Sequence, residues 1–246
     1  MEAGAEIMNT ASALSVLDWW QEAGVDVMID EVPRNWLAER SRPVARAVAA
    51  VPAPQVPAAR TAMPETIEAF RNWLASHGAL PDDSPVDRRV LPEGPEGGMV
   101  MILVDMPEAA DAEAERLLSD ETGQLLDRML AAVGQDRGTA YLGSIALARP
   151  AGGRIDPAHH KALGRLARRH AALVHPRRLL LMGQATCQAV LGMDLPAARG
   201  QTHIINDNGV EIEAVATFAP RFLIQNPARK ADAWKDLRLL TKGLEH

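Results

Sequence analysis

The chain has 246 residues, a length that suits one or two domains. Hydrophobic residues make up 47% of it and charged residues 24%, an ordinary globular composition that excludes disorder throughout. The longest unbroken apolar run, Met99–Val104, is too short to cross a bilayer, and the N-terminus MEAGAEIM lacks the basic region of a secretory signal. We therefore expect no membrane partner and a cytoplasmic location.

The cysteine and charge content limits the kinds of site that the chain can form. The only cysteine of the sequence, Cys187, excludes an internal disulfide and any site built from several thiolates, so we predict neither a metal nor a cofactor. The net charge is −6, yet residues 141–200 contain nine Lys or Arg and two acids. A local basic face can bind phosphates on an acidic molecule, although the same pattern is typical of a solvated helix face.

The N-terminal quarter differs from the rest in composition. Residues 1–42 are predicted to form a helical leader, in which Leu14, Leu17 and Trp20 follow helical spacing. Residues 43–64 are rich in Pro, Ala and Val and are predicted to be an extended linker. The main domain is expected over 65–243, and Leu244-Glu245-His246 resembles the start of a purification tag.

From residue 65 onward the hydrophobic pattern alternates between helices and strands. Predicted helices cover 65–76, 122–133, 157–174, 184–191 and 228–240, and predicted strands cover 99–105, 139–147, 179–182 and 210–218. Trp234, on the last helix, is expected to be a core or packing residue rather than a stacking platform. This alternation predicts an α/β fold: a three-layer α/β/α sandwich with a mostly parallel central sheet of about four strands.

A candidate site lies where the predicted strands end. In parallel sheets the ligand crevice lies beyond the carboxyl ends of the strands. The segments placed there are 105–108, 144–149, 183–184 and 218–222. Asp105 is either a functional acid or a carboxylate that caps a loop. Asp111, which lies among several other acids, is expected on a solvated acidic segment.

Motifs in these segments resemble the uracil-DNA glycosylase superfamily, and most closely its bacterial iron–sulphur type (family 4). The resemblance covers about 99–240. Its anchors, in order, are Gly123-Gln124-Leu125-Leu126-Asp127, Tyr141 with Arg149-Pro150-x-Gly152-x-Arg154, Leu181-Met182-Gly183, Arg199-Gly200, and Ala219-Pro220-Arg221-Phe222-Leu223-x-x-Asn226-Pro227.

The resemblance also implies that the base pocket has been altered. Where the family has Gly-Glu-(Ala/Gly)-Pro-Gly, this chain has Val104-Asp105-Met106-Pro107-Glu108, which keeps a carboxylate but loses both glycines. Leu118 stands in place of the aromatic residue that stacks on the base. Ser144 replaces the asparagine that reads the uracil edge, and Ala219 replaces the histidine that stabilises the uracil anion.

The resemblance also implies that the chain holds no iron–sulphur cluster and that some of its arginines contact DNA. The family binds its iron–sulphur cluster through four cysteines, one of which aligns with Leu163, and one thiol cannot hold a cluster. Arg149 and Arg154 match the family segment near the DNA backbone. Further candidates for phosphate contacts lie on the solvent-facing side of the predicted helix 157–174, which also carries Lys161: Arg165, Arg168 and Arg169.

Three functions remain open at this point. The first is a DNA-associated, repair-related pseudoenzyme that binds single- or double-stranded DNA or a repair protein but lacks normal uracil excision. The second is an active DNA glycosylase that hydrolyses the N-glycosidic bond of another base and uses Asp105. The third is a protein-interaction scaffold without nucleic acid. The sequence leaves the oligomeric state open.

Overall fold

A computed structural model of the chain describes residues 63–78 and 80–243. The elements in chain order are α1 (Ile67–Ser76), β1 (Val100–Val104), α2 (Asp111–Ala114), α3 (Glu121–Ala131), β2 (Ala140–Ser144), α4 (Pro157–Val174), β3 (Arg178–Met182), α5 (Gln184–Leu191), α6 (Leu195–Ala198), β4 (Thr202–Asp207), β5 (Val210–Thr217), α7 (Pro220–Gln225) and α8 (Lys230–Thr241). The predicted leader, nearly all of the predicted linker and the tag remnant lie outside the described residues.

The strands form one mostly parallel sheet. Their order is β2-β1-β3-β5-β4, and β1, β2, β3 and β5 run parallel. The sheet has five strands where about four were expected, because β4 pairs antiparallel with β5 at the edge. Its sequence gives a weak strand signal, since only Ile205 among its six residues is buried.

Helices cover both faces of the sheet, as the predicted three-layer fold requires. One core packs α1, α4, α5 and α6 against side chains such as Met101 and Leu181. The other core packs α3, α7 and α8 against alternate residues of the same strands, such as Ile102 and Leu180. Every residue of β1 is buried, which explains its continuous apolar run.

Three residues of the sequence determine where α4 begins and how closely it packs: Asp156, Pro157 and Gly164. The Asp156 carboxylate accepts a hydrogen bond of 2.8 Å from the backbone N–H of Ala158, and Pro157 occupies the first turn, as predicted. A Cβ on Gly164 would lie 1.7 Å from the carbonyl oxygen of Ala189, so α4 and α5 touch through their backbones.

Two further findings concern the surface. Trp234 is 42% exposed, so it is not a core residue, one of the two roles predicted for it. It is on the outer side of α8, whose inner side carries Ala233, Leu237 and Leu240. None of the described helices is long and apolar enough to span a bilayer.

Candidate functional site

The register of the sheet brings the four predicted segments to one edge. Val104 pairs with Ser144 at the ends of β1 and β2, and Met182 pairs with Thr217 at the ends of β3 and β5. The chain leaves these strands directly into 105–108, 145–149, 183–184 and 218–222. The candidate site therefore lies at the carboxyl edge, where ligands of parallel sheets bind.

Two acids and two arginines meet at this edge. Arg221, in the first turn of α7, contacts Asp105, and its Nε lies 3.2 Å from a Glu108 carboxylate oxygen. The other oxygen of Glu108 lies 3.3 Å from the Arg149 guanidinium, which also donates to the Pro107 carbonyl at 3.0 Å. We call Asp105, Glu108, Arg149 and Arg221 the carboxylate–arginine cluster.

Burial raises the pKa values of the two acids of the cluster, whereas ion pairing with the arginines lowers them. Desolvation raises the pKa of Asp105 above its ordinary value, although the Arg221 charge and the N–H of Met106 lower it in part. The pKa of Glu108 is also raised by burial, against the opposing charges of Arg221 and Arg149. Both acids therefore hold their protons to a higher pH than exposed carboxyl groups do.

A third acid, Asp111, organises the loop beside the cluster. It is fully buried, so the prediction that it lies on a solvated segment is wrong. Its carboxylate accepts hydrogen bonds from the backbone N–H groups of Glu108, Leu118 and Ser119 at 2.7–2.8 Å, and from the Ser119 hydroxyl at 2.7 Å. These bonds satisfy the buried charge and fix the loop 108–119.

The predicted phosphate-binding arginines have different surroundings. Arg154 and Arg165 are exposed, and Arg149 belongs to the carboxylate–arginine cluster. Arg168 and Arg169 do not meet the expectation of a solvent-facing row. Arg168 donates to the Val190 carbonyl at 2.8 Å, and Arg169 donates to the Pro64 carbonyl at 3.1 Å. Their guanidinium groups serve contacts within the protein.

Comparison with known proteins identifies the family of the chain. The model of the Uracil DNA glycosylase superfamily matches residues 91–238, more than half of the chain. The chain belongs to this superfamily. A type-4 uracil-DNA glycosylase of Pyrobaculum aerophilum is 25% identical over 151 residues, which cover 58% of this chain and 77% of that protein. Family 4, the type suggested by the motifs, is thus supported by this similarity.

The positions that the resemblance assigns to the base pocket are buried. Four of these side chains are at most 7% exposed: Met106, Leu118, Ser144 and Ala219. Pro107 is buried as well. The Ser144 hydroxyl has no hydrogen-bond partner among the described residues. It borders a cavity of about 10 Å³ that Phe70 and His170 also line, a volume at the lower limit for one water molecule.

Leu118, which the resemblance assigns to the position of the stacking aromatic residue, has an unusual backbone conformation. Its φ of +51° is left-handed, a conformation that costs a branched residue about 1–2 kcal/mol. Arg137 holds it by donating to the Leu118 carbonyl at 2.8 Å, opposite the bond to Asp111. A Cβ on Gly123 would lie 1.8 Å from that carbonyl oxygen, which explains the glycine of the Gly123-Gln124-Leu125-Leu126-Asp127 anchor.

Arg221 is a site residue that was not among the predicted ones. It lies in the Ala219-Pro220-Arg221-Phe222 anchor, four residues after β5 and in the first turn of a helix. That position could have placed its side chain at the carboxyl edge. Its partners, Asp105 and Glu108, come from β1 in the middle of the sheet, and this pairing has no local sequence signal.

The residues present do not fit the iron–sulphur cluster that family 4 implies. Cys187 is the single thiol of the sequence, and burial raises its pKa to about 12, which opposes the thiolate that iron requires. Leu163, at the aligned ligand position, is 1% exposed in the core. Within 63–78 and 80–243, no three His, Cys, Asp or Glu side chains are grouped to hold a metal ion.

Proposed function

We propose that this protein is a DNA-associated, repair-related member of the uracil-DNA glycosylase superfamily that lacks normal uracil excision. The carboxylate–arginine cluster carries the proposal. A base-excising pocket needs space at the end of β1, and here the charged side chains of Glu108, Arg149 and Arg221 bond to one another at that place. Leu118, Ser144 and Ala219 supply neither an aromatic platform nor an imidazole.

The energetics of the cluster favour a closed pocket. Glu108 is 8% exposed, and it contacts both arginines. Removing one partner of a fully buried ion pair costs about 3–5 kcal/mol, because the other charge stays unpaired. The cost is smaller here, since the side chains of Arg149 and Arg221 are 34% and 24% exposed. A flipped base that displaced Glu108 or Arg221 would carry this cost in addition to unstacking, which costs a few kcal/mol itself.

The charge distribution supports DNA as the partner. Arg154 and Arg165 are exposed, and Lys161 lies one helical turn before Arg165 on α4. They belong to the stretch 141–200, whose excess of cations stands against the net charge of −6 of the whole chain. Such cations bind phosphates without reading sequence.

A second function is favoured by one observation, the contact between Asp105 and Arg221. An acid with a raised pKa beside a cation is an arrangement suited to acid–base chemistry. In this alternative, the protein is a glycosylase for another damaged base. Asp105 would orient the water that attacks the sugar carbon, and Arg221 would stabilise the departing base.

An excision assay on oligonucleotides with a single uracil, both single-stranded and duplex, tests the main proposal. We expect no abasic product under conditions in which an authentic family enzyme converts the substrate completely. Uracil release at a comparable rate contradicts the proposal. A panel of other damaged bases, tested with the wild type and the Asp105→Asn variant, separates the second function: release that Asp105→Asn abolishes establishes it.

DNA binding needs its own measurement. We expect the affinity for a labelled oligonucleotide to fall steeply between 50 and 200 mM salt, with a slope of about 0.9 per phosphate contact. The double variant Arg154→Glu/Arg165→Glu should weaken binding strongly. Its control, Arg229→Glu/Arg238→Glu on the last helix region, alters net charge equally and should bind as the wild type. No binding at low salt favours the scaffold function.

A further inference from the structure

A large groove lies at the start of β1, at the other end of this strand from the carboxylate–arginine cluster. It has a volume of about 840 Å³ and runs between the end of α3 and the helix α8. Met99 and Val100, at the start of β1, line it, whereas the cluster follows the end of β1. The five residues of this strand separate the two places by about 17 Å.

Apolar side chains form much of the groove surface. Val133, Leu239 and Met99 pack against the core of this face but are only partly buried, so the core is incompletely covered here. Trp234 is 42% exposed and lines both the groove and a neighbouring recess of about 150 Å³. The recess is almost wholly apolar. Its apolar lining residues are Leu125, Met129, Ala132, Leu223, Ala233, Trp234 and Leu237.

Cations surround this apolar surface, and the described lining contains no acid. The lining cations are Arg128, Lys230, Lys235, Arg238 and Lys242. Of the two acids on α8, Asp236 is buried against Arg199 at 2.7 Å, and Asp232 pairs with Lys235 at 3.0 Å, which partly offsets that one lining cation. On a chain with a net charge of −6, this is a local positive field next to an exposed tryptophan.

We propose that this groove binds an acidic peptide segment of a partner protein, with one apolar side chain of the peptide in the recess. The recess has the size of a single aliphatic or aromatic side chain, and the cations stand at its rim, where carboxylates of the peptide would meet them. A buried apolar anchor with a charged rim is the usual anatomy of a peptide-binding site. A nucleic acid would engage the cations but leave the apolar recess unused.

The proposal is independent of the one for DNA, because none of the lining residues belongs to the predicted DNA face. The recess gives it a specific test. Ala132 lines both the groove and the recess, and it is exposed. An Ala132→Phe substitution should therefore fill the recess without entering the core.

The experiment is a fluorescence anisotropy titration of the full chain with a labelled synthetic peptide of four aspartates followed by leucine and phenylalanine. We expect saturable binding that weakens with salt, because exposed charges are screened. Ala132→Phe and Lys235→Glu/Arg238→Glu should each weaken it roughly tenfold or more, about 1.4 kcal/mol. Arg154→Glu/Arg165→Glu, a matched charge change elsewhere, should leave it within about twofold. Circular dichroism checks that every variant is folded.

Three results would overturn the proposal. The first is absence of saturable binding up to millimolar peptide. The second is equal binding by the wild type and a folded Ala132→Phe variant, since the recess would then be unused. The third is that a labelled oligothymidine competes for the groove more strongly than the peptide does, which would assign the surface to single-stranded nucleic acid.

Discussion

The carboxylate of Asp111 accepts a hydrogen bond of 2.8 Å from the backbone N–H of Leu118, seven residues further along the chain. The same oxygen accepts from the N–H of Glu108 at 2.7 Å, so one atom joins the two ends of the loop that borders the candidate site. A short acidic side chain thus acts as an internal brace, and it holds Leu118 in its left-handed conformation.

Replacing Asp111 by alanine should destabilise the fold markedly. The variant leaves three backbone N–H groups without their acceptor, and hydrogen bonds to a charged group contribute about 1.5–3 kcal/mol each. We expect the free energy of unfolding to fall by about 3 kcal/mol or more in urea denaturation. The control Glu113→Ala, an exposed acid on the same helix, should change it by less than about 0.5 kcal/mol. Equal effects of the two variants would contradict this reading of the loop.

Two arginines of α4 should separate stability from DNA binding. Arg168 donates to the Val190 carbonyl in the last turn of α5, so Arg168→Ala should lower the free energy of unfolding by about 1–2 kcal/mol. Arg165 is exposed, and Arg165→Ala should leave stability within about 0.5 kcal/mol while it lowers the salt slope of DNA binding by about 1. Urea denaturation and a salt titration measure the two quantities. The prediction fails if Arg165→Ala destabilises the protein as much as Arg168→Ala.

Asp105 should give the stability of the protein a characteristic pH dependence. Its pKa is raised in the folded state, so the native protein keeps a proton that the unfolded chain releases near 3.8. Between these two pKa values the native state binds more protons, and its stability falls as pH rises. We expect the wild type to lose stability relative to Asp105→Asn from pH 4 upward, until the raised pKa is passed. Glu108 shifts in the same direction but is present in both proteins.

The opposite trend would be equally informative. A wild-type advantage that grows with pH would mean that the contact with Arg221 outweighs burial, and that the pKa of Asp105 is lowered. Chemical denaturation at several pH values between 4 and 7.5 distinguishes the two outcomes.

The sequence predicted the elements well where the signal is local. The strands β1, β3 and β5 were predicted to within two residues at each end. β1 and β3 are apolar runs bounded by turns, and β5 begins with alternating apolar and polar residues. The start of α4 was predicted from Asp156 and Pro157, whose capping needs no distant partner. The edge strand β4 was missed, because an exposed strand with one buried residue leaves little pattern.

The sequence predicted where the candidate site lies, but it did not predict which side chains contact one another there. The strand ends located Asp105, Ser144 and Ala219 at one edge, because a parallel sheet brings its carboxyl ends together. The contact between Asp105 and Arg221 spans 116 positions of the chain. The burial of Asp111 likewise depends on how the loop folds back over it. Such contacts follow from the tertiary fold and not from neighbouring residues. The residues around Asp111 are acidic, and their composition predicted a solvated segment instead of a buried side chain.

A buried histidine should make the protein sensitive to acid. His170 on α4 is 4% exposed, and its Nε2 lies 2.8 Å from the Tyr141 hydroxyl. Arg71 donates to the same hydroxyl at 3.2 Å, so the hydroxyl donates its proton to an unprotonated Nε2. Burial, with the Arg71 charge as a smaller cause, lowers the pKa of His170 from 6.5 to about 3.

The lowered pKa of His170 makes the folded state less stable in acid. The unfolded chain binds a proton at His170 below pH 6.5, whereas the native protein does so only near pH 3. The stabilisation is therefore complete above pH 6.5 and is lost as pH falls through this window, by up to about 1.4 kcal/mol per pH unit. We expect wild-type stability relative to His170→Phe to decline with that slope between pH 6.5 and 4 in urea denaturation.

The control variant keeps the histidine and removes its partner. Tyr141→Phe leaves His170 buried among Phe70 and the residues of α4, so it should retain the acid sensitivity even if it is less stable at every pH. A difference between the wild type and His170→Phe that does not vary with pH would show that the native protein and the unfolded chain bind a proton at His170 over the same pH range. That result would contradict the lowered pKa, and the protonated Nε2 would donate to the Tyr141 hydroxyl oxygen instead of accepting from it.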